Sequence, residues 1–483
     1  MKSDALEQIK QRFGDRAADS RFERGFYSRD LAPVPALLVN PLFNTMPDLI
    51  VRPADAEETA ALLKLAFAGN IPVTPRAGAS TAYFNSVPVR GGIVLDLNLL
   101  KGVADLDESG MTVTAGAGTT WSELDEYLNA RGFALKSFPS SAPAASIGGW
   151  FCTMGYGIGS LKYGSLLSQV QADEAVLPAG EIRRLTRQTD PPLDWFAASE
   201  GTLGVIIRLE LEIRKSTPMK HFLIAFPDAG KMGRALEAII HAPVMPYNLH
   251  FSDDRCARAM KSLGFSPADV EPAHTLGIDY EGSEEDLRQA DDIMTALTAA
   301  DPTARLSSAE TAEREWAEKF NALRLKRGGP SVLGGEIWLP VKELPDYLTD
   351  IRKMAGRYGA DFISYGHVAT PDRVTVMTMF HTDETRTVQY ILDLGLVKKI
   401  HDAGRRHGGW PYGVGLWNTP YLGRMFTPPQ MAELRRRKQE LDCRGIMNPG
   451  KVYRPPFMLN PFNFEVGMNL LAMARRATGK SRG

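Results

Sequence analysis

Three stretches of small residues have the composition to surround an anion. Pro75-Arg76-Ala77-Gly78-Ala79-Ser80-Thr81 follows a helical pattern and a short apolar run. Side chains this small let backbone N–H groups approach an anion closely. Ser146-Ile147-Gly148-Gly149 continues to Gly155, Gly157 and Gly159, then to Lys162-Tyr163-Gly164. Ser199-Glu200-Gly201-Thr202-Leu203-Gly204 feeds a strand pattern that opens at Val205. Two such loops could wrap a pyrophosphate while the third supports the rest of an extended cofactor. Taken singly, each reads as a tight turn. Gly155-x-Gly157-x-Gly159 has the wrong spacing for G-x-G-x-x-G, and it does not sit between a clear strand and a helix.

The elements around these loops follow from local pattern. Asp55 with Glu58 makes a capping-box start for a helix bearing Leu62, Leu65 and Ala66, stopped near Gly69. Strands are predicted at 71–73, 92–97, 111–114, 174–177 and 204–213. A second helix starts at Thr120, with Glu123 as its box partner, and ends near Gly132. Residues 139–164 read as one long irregular stretch, and such stretches are usually functional. From about 219 to 410, helices near 228–241, 284–299, 342–358 and 386–407 alternate with strands at 222–226, 276–279, 337–339, 362–365 and 374–380. Alternation of this kind predicts an α+β second domain. A basic helix is expected over 429–441.

Bulk properties narrow the class. The 483 residues balance 56 Lys+Arg against 57 Asp+Glu, so no global basic field recruits nucleic acid. Cys152, Cys256 and Cys443 are too few and too scattered for an Fe–S cluster, a zinc site or a disulfide framework. No apolar run approaches the ~20 residues that span a bilayer, and the start does not read as a signal peptide. A cytoplasmic protein is expected.

In this order and spacing the three segments resemble the FAD-binding domain of the vanillyl-alcohol oxidase / p-cresol methylhydroxylase superfamily. Asn448-Pro449-Gly450-Lys451, preceded by Leu441-Asp442, resembles the C-terminal signature of its glycolate oxidase / D-lactate dehydrogenase branch. The resemblance implies an α+β fold. Two α+β subdomains grip FAD (residues 1–215), an α+β cap with an antiparallel sheet follows (216–415), and residues 416–483 return to the FAD domain. By the same resemblance Pro75 to Thr81 hold the pyrophosphate, and Ser146 to Gly149 with Gly155 and Gly159 lie along pyrophosphate and flavin. Glu200, Gly201 and Val205 would lie along the adenosine half, and Asn448 and Lys451 near the flavin's polar edge. A lysine there stabilises the anionic reduced flavin. All eight histidines follow residue 220, so no histidine of the FAD domain can tether the flavin, and FAD is expected to be noncovalent. Trp150 and Phe151 stand where smaller or polar residues are common in the family, either narrowing a flavin-side pocket or packing.

The substrate side departs further. Where the branch reads G-H-x-G-D-G-N-x-H, this chain has Gly366-His367-Val368-Ala369-Thr370-Pro371-Asp372, and where it reads G-E-H-G-I-G the chain has Trp410-Pro411-Tyr412-Gly413-Val414-Gly415. One metal ligand of three remains, so no metal site is expected. Flavin dehydrogenation needs a base for an O–H proton. Tyr412 occupies the family's base position, with His367 and His381 as further candidates. A tyrosine base needs nearby cations, which Arg324, Lys326 and Arg327 could supply; Arg324 could equally bind a substrate carboxylate. Trp410, Trp417 and Asn418 are candidate pocket residues.

The expected activity is FAD-dependent oxidation of an alcohol or 2-hydroxy-acid-like small molecule. Electrons would pass to a quinone, a cytochrome or an Fe–S partner, because this chain holds no relay of its own. The alternatives are an electron-transfer or scaffold subunit with a degenerate pocket, and non-redox flavin adduct chemistry as in the alkylglycerone-phosphate synthase branch. The tail from Lys451 is basic at Arg454, Arg475, Arg476, Lys480 and Arg482 and apolar at Phe457, Met458, Phe462, Phe464, Met468, Leu470, Leu471 and Met473. Such a tail could contact the inner face of an anionic membrane peripherally or pack on its own FAD domain.

Overall fold

The computed structural model describes residues 2–33, 39, 41–265, 271–453 and 459–479. Phe457, Met458, Arg454, Lys480 and Arg482 of the tail lie outside these described residues. The chain divides into two units. The first comprises 1–155, 165–216 and 413–461, and the second 156–164, 217–412 and 462–483.

The first unit holds two sheets. β1 (Ala17–Ala18) pairs antiparallel with β2 (Leu49–Val51). β2 then runs parallel to β4 (Ile93–Asp96), which runs parallel to β3 (Val73–Arg76). The helix Ala56–Ala68 connects β2 to β3, capped by Asp55, whose side chain accepts from the Glu58 N–H. Glu58 reaches back to the Ala54 N–H at 2.8 Å, one residue beyond the reciprocal partner of a strict capping box. Leu62, Leu63 and Ala66 of this helix are fully buried against Ile71, Val73, Ile93 and Leu95. Burial on this scale stabilises by about 2 kcal/mol for each large side chain. The second sheet is ordered β5 (Val103–Asp107), β6 (Thr112–Gly116), β10 (Val205–Lys215), β8 (Val170–Val176), β9 (Ile182–Leu185), with β7 (Phe133–Leu135) also pairing β10. The helix Trp121–Asn129 carries the full capping box of Thr120 and Glu123.

The second unit is an eight-stranded sheet. Its strands are β11 (Met219–Phe226), β12 (Asn248–Ser252), β13 (His274–Glu281), β14 (Arg305–Leu306), β15 (Ser331–Pro340), β16 (Ile363–Thr370), β17 (Arg373–Thr382) and β18 (Trp410–Pro411). Their order is β14-β11-β13-β12-β16-β17-β15-β18, and each neighbouring pair is antiparallel. Helices Ala229–Ile240, Leu344–Tyr358 and Thr387–Arg406 cover one face. β15 alternates strictly between buried and half-buried residues, as a strand with one covered face must.

Two parts of the chain differ from the sequence expectation. Residues 139–164 are not a single irregular stretch, because Ile147–Thr153 and Ser160–Tyr163 are helical. The helix Pro461–Gly479 joins the second unit and not the first. It crosses Thr387–Arg406 where Gly395 faces Ala472, and a Cβ on Gly395 would lie 2.4 Å from the Ala472 nitrogen. Lys398 pairs with Glu465 at 2.9 Å, Lys399 donates to Asn469 at 2.7 Å, and Arg475 donates to Asp393 at 2.5 Å. Phe462, Val466, Leu470 and Met473 of this helix remain exposed along one stripe.

Candidate functional site

In the first unit the three small-residue segments and the Asn448 segment converge. A Cβ on Gly78 would lie 2.0 Å from the Ala144 carbonyl, so only glycine brings the 75–81 loop against residues 142–146. Gly201 holds φ +69° and abuts the Pro75 ring. The Glu200 N–H donates to the Cys152 carbonyl at 2.9 Å, and the Asn448 N–H donates to the Val73 carbonyl at 2.8 Å. Among the described residues, no acceptor of the chain receives the backbone N–H of Gly78, Ala79, Ser80 or Thr81. Ala79 lies at φ +47°, the left-handed conformation that turns successive N–H groups toward one concavity. Four open donors in a row fit a pyrophosphate.

Buried charge surrounds this cradle. Glu200 Oε1 accepts the Gly415 N–H at 2.8 Å, while Oε2 is buried without a hydrogen-bond partner. Burial pushes the Glu200 carboxyl up to about 7, against the opposing influence of the Gly415 N–H and Lys451. Burial likewise lowers Lys451 to about 7, opposed by Glu200 and Asp30. Lys451 Nζ donates to the Val87 carbonyl and to Asn448 Oδ1, each at 2.6 Å. Asp30 Oδ2 and Ser86 Oγ are also buried without partners. Orphaned polar atoms of this kind cost free energy unless a ligand or water meets them.

Some expected cofactor residues have other tasks here. Arg76 turns inward, its guanidinium over the Tyr27 ring at 5.1 Å and donating to the Arg29 carbonyl. Ser146 caps the helix Ile147–Thr153 by accepting the Gly149 N–H, and the Ile147 and Gly148 N–H groups donate to Thr119 and Ala117 carbonyls. Those amides are therefore not open donors. Gly148 is glycine because a Cβ would lie 2.6 Å from the Ala117 Cβ, and Gly155 because Trp150 Nε1 occupies that space. Trp150 and Phe151 are buried packing residues. Gly159 holds φ +86° and starts the short helix Ser160–Tyr163 in the second unit. Val205 opens β10 and is buried.

In the second unit the polar face of the sheet carries a histidine cluster. Register places Trp338, Thr375, His367, His250 and Gly277 in one row across β15, β17, β16, β12 and β13. Gly277 is required there, since a Cβ would lie 2.0 Å from His250 Cε1. The His367 and His250 rings lie 5.9 Å apart. Burial, and then the neighbouring His250, lower His367 to about 3, so it is a neutral imidazole at physiological pH. His250 is opposed by burial, but Glu315, 3.6 Å from Nε2, raises its proton affinity overall. Asn248 and Asp279 join the cluster from β12 and β13. Only His367 of this group was found from the sequence. The alternation of β12, Asn248-Leu249-His250-Phe251-Ser252, was the available signal.

Tyr412 and Arg324 form different contacts from those expected. The Tyr412 hydroxyl accepts the Tyr156 N–H and donates to the Tyr156 carbonyl at 3.2 Å, so the backbone of one residue engages it both as acceptor and as donor. Its ring stacks on Trp338 at 5.9 Å. Burial, then Glu336, raise its phenol far above the ordinary tyrosine value, and no cation offsets them. Arg324 pairs with Glu318 at 2.9 Å and lies over Phe265 at 5.0 Å. Its neighbour Leu325 shares a buried cluster with Ile363 and Met379, flanked by Tyr365 and Met377, on the sheet face that carries His367. His381 is held by the Leu325 carbonyl at 2.6 Å. Asn418 is fully buried, its Nδ2 on the Gly413 carbonyl. Among the described residues no group of three or more His, Cys, Asp or Glu side chains is placed to hold a metal ion.

The neutral histidines make the second unit sensitive to acid. His367 is lowered to about 3 and His401 to about 4, both by burial first, whereas an unfolded histidine titrates near ~6.5. The unfolded chain therefore binds these two protons first as pH falls. His274 is lowered by burial as well, while Asp253, pushed up to about 7 by burial, and His250, raised by Glu315, act in the opposite sense, two groups against three. Stability is expected to fall by about 1.4 kcal/mol per pH unit between roughly 6 and 4. Hydrogen exchange of β15 to β17 reads this, and protection unchanged from pH 7 to 4.5 would contradict it.

A cradle of open backbone amides in one unit, with a buried lysine and glutamate beside it, defines a nucleotide-cofactor protein of α+β class. Residues 47–186 match the FAD binding domain model, and residues 217–452 match the C-terminal domain model of FAD linked oxidases. The chain belongs to the FAD-linked oxidases, and its cofactor is noncovalent FAD. It is 24% identical to glycolate oxidase subunit GlcD of Bacillus subtilis, over 93% of this chain and 97% of the relative. It is 27% identical to D-lactate dehydrogenase of Archaeoglobus fulgidus, over 84% and 91%. These relatives place it in the glycolate oxidase / D-lactate dehydrogenase-like branch. A structure of p-cresol methylhydroxylase with substrate bound superposes with TM-score 0.78 at 17% identity, covering 94% of this chain and 97% of that one. Alkyldihydroxyacetonephosphate synthase gives 0.77 at 21%, covering 92% and 86%. The fold expected from the sequence is thereby borne out. No described helix is long and apolar enough to cross a membrane.

Proposed function

We propose that this chain is a dehydrogenase acting on the CH–OH group of an alcohol or 2-hydroxy-acid-like small molecule, its electrons leaving to an external quinone, cytochrome or Fe–S partner. The observation that carries this reading is the neutral His367, half-buried on the polar sheet face with Nδ1 3.3 Å from Asn248 Oδ1. Bound FAD supplies the two-electron hydride acceptor. His367 Nε2 accepts the hydroxyl hydrogen bond and then the proton as the carbon gives up its hydride, leaving a carbonyl product. Arg324 exchanges Glu318 for a substrate carboxylate. Tyr412 fixes the Tyr156 peptide and is not the base. Lys451 places positive charge beside the FAD cradle.

The relatives support the substrate class, being a glycolate oxidase subunit and D-lactate dehydrogenases. The domain division we infer is a FAD domain over 1–215, a cap from 216 to 415, and a C-terminal segment whose residues 416–461 serve the FAD domain. Peripheral membrane contact belongs to the same reading: the exposed stripe Phe462, Val466, Leu470 and Met473 precedes the exposed Arg476, and co-sedimentation with anionic vesicles tests it.

The decisive experiment is anaerobic titration of the yellow holoprotein with D- and L-2-hydroxy acids and primary alcohols. Loss of the flavin's visible absorbance is expected with at least one of them. No bleaching by the whole panel would overturn the reading in favour of a subunit without a working pocket. Isotope exchange into substrate without bleaching would favour non-redox adduct chemistry.

A further inference from the structure

We propose that Asn248 is a positioning residue that sets the tautomers of His367 and His250 in opposite senses, with Asp279 as the group that orients its amide. The inference deepens the reading of His367 as proton acceptor and rests on it for its catalytic meaning.

The assignment follows from which groups can only accept. Asp279 Oδ2 lies 2.7 Å from Asn248 Nδ2, and an ionised carboxylate only accepts, so that end of the amide is the NH2. Asp279 is itself fixed on its other oxygen by His221 Nδ1 at 2.7 Å, and the His221 ring stacks on Trp316 at 5.0 Å. Asn248 is 3% exposed and Asp279 3% exposed, so water does not compete freely for either. The opposite end of the amide is then the carbonyl Oδ1, 3.3 Å from His367 Nδ1. A carbonyl only accepts, so His367 carries its proton on Nδ1 and its lone pair on Nε2.

The second N–H of Asn248 points at His250 Nδ1, 3.2 Å away. That nitrogen must accept, which places the neutral His250 proton on Nε2, facing Glu315 at 3.6 Å. One amide thus imposes Nδ1–H on one ring and Nε2–H on its neighbour. The Nδ1–H form is the one that leaves His367 Nε2 free to take a proton from a substrate hydroxyl. With the amide reversed, Nδ2 would donate to His367 Nδ1, the proton would move to Nε2, and no acceptor would remain there.

The test is two-bond nitrogen–carbon-proton correlation NMR on holoprotein carrying ring-15N histidine, at pH 8, with His367 assigned by its loss in His367→Gln. Wild type is expected to show Nδ1–H at His367 and Nε2–H at His250. Asp279→Asn is nearly isosteric, can no longer orient the Asn248 amide, and is expected to move His367 to Nε2–H or to an average of the two forms. Asn248→Leu should do the same, and where it does not fold Asp279→Asn alone decides. Flavin reduction should slow roughly tenfold or more in either variant. Nε2–H at His367 in wild type, or retained Nδ1–H in the variants, overturns the proposal. If instead the tautomers shift as stated but the reduction rate does not, the positioning stands and the base reading of His367 fails.

Discussion

Asn448→Ala is expected to cost about 3–5 kcal/mol and to weaken FAD retention by roughly 100-fold or more. Asn448 Nδ2 donates to the Asn85 carbonyl at 3.0 Å and to the Glu200 carbonyl at 2.6 Å, while Oδ1 accepts from Lys451 at 2.6 Å. The residue is 1% exposed, so alanine leaves two carbonyls and one lysine short of a partner with little water to replace it. Lys451 would keep only the Val87 carbonyl among these bonds, in a site that already disfavours its charge. Asn448 also sits at φ +37°, where asparagine is tolerated better than alanine. Because Glu200 and Asn85 flank the cradle, their loss of anchorage loosens the groups around it. Gel filtration of the yellow protein and urea unfolding of the apoprotein measure the two effects. A variant that emerges with full flavin content and an unchanged urea midpoint would contradict the staple role. Asn448→Asp separates the parts, since it keeps the acceptor for Lys451 and removes both donors.

The meeting of the small-residue loops was legible because its requirement is written in side-chain size. Gly78 and Gly201 had to be small for the backbones to meet. The loop Ser146 to Gly149 was harder. Its two glycines look like irregular chain, yet Ser146 is a helix cap and Gly148 answers to Ala117, a contact no local pattern reveals. The same limit explains Tyr412. Its loop was recognisable, but the peptide that closes its hydroxyl belongs to Tyr156, 256 positions earlier in the chain. The histidine cluster was missed almost entirely, because His221, Asn248, Asp279 and Glu315 come from four elements and each alone reads as an ordinary polar residue. The pairing of β13 with β11 and β12 gathers the first three, and the helix Ala309–Ala317 brings Glu315 to them. Sequence periodicity finds strands; which polar residues share a row depends on strand order, which is a property of the whole sheet.

His367→Gln is expected to slow flavin reduction by substrate by about 100- to 10,000-fold while leaving the flavin spectrum unchanged. Glutamine has side-chain volume and hydrogen-bonding capacity to occupy the site beside Asn248, but its amide nitrogen does not take up a proton in this pH range. The residual rate then comes from FAD binding and substrate positioning alone, with the hydroxyl proton released to solvent. Wild-type reduction should be flat with respect to His367 from pH 6 upward, because its conjugate acid forms only near about 3. Tyr412→Phe provides the contrast. It removes the partner of the Tyr156 N–H and carbonyl without removing a base, so its effect should stay within about tenfold and appear as lost stability of that loop. Stopped-flow reduction of the two variants under identical anaerobic conditions decides between them. If Tyr412→Phe falls by the larger factor and His367→Gln by the smaller, the proton acceptor has been misassigned and the phenol, despite burial and Glu336, must ionise in the substrate complex.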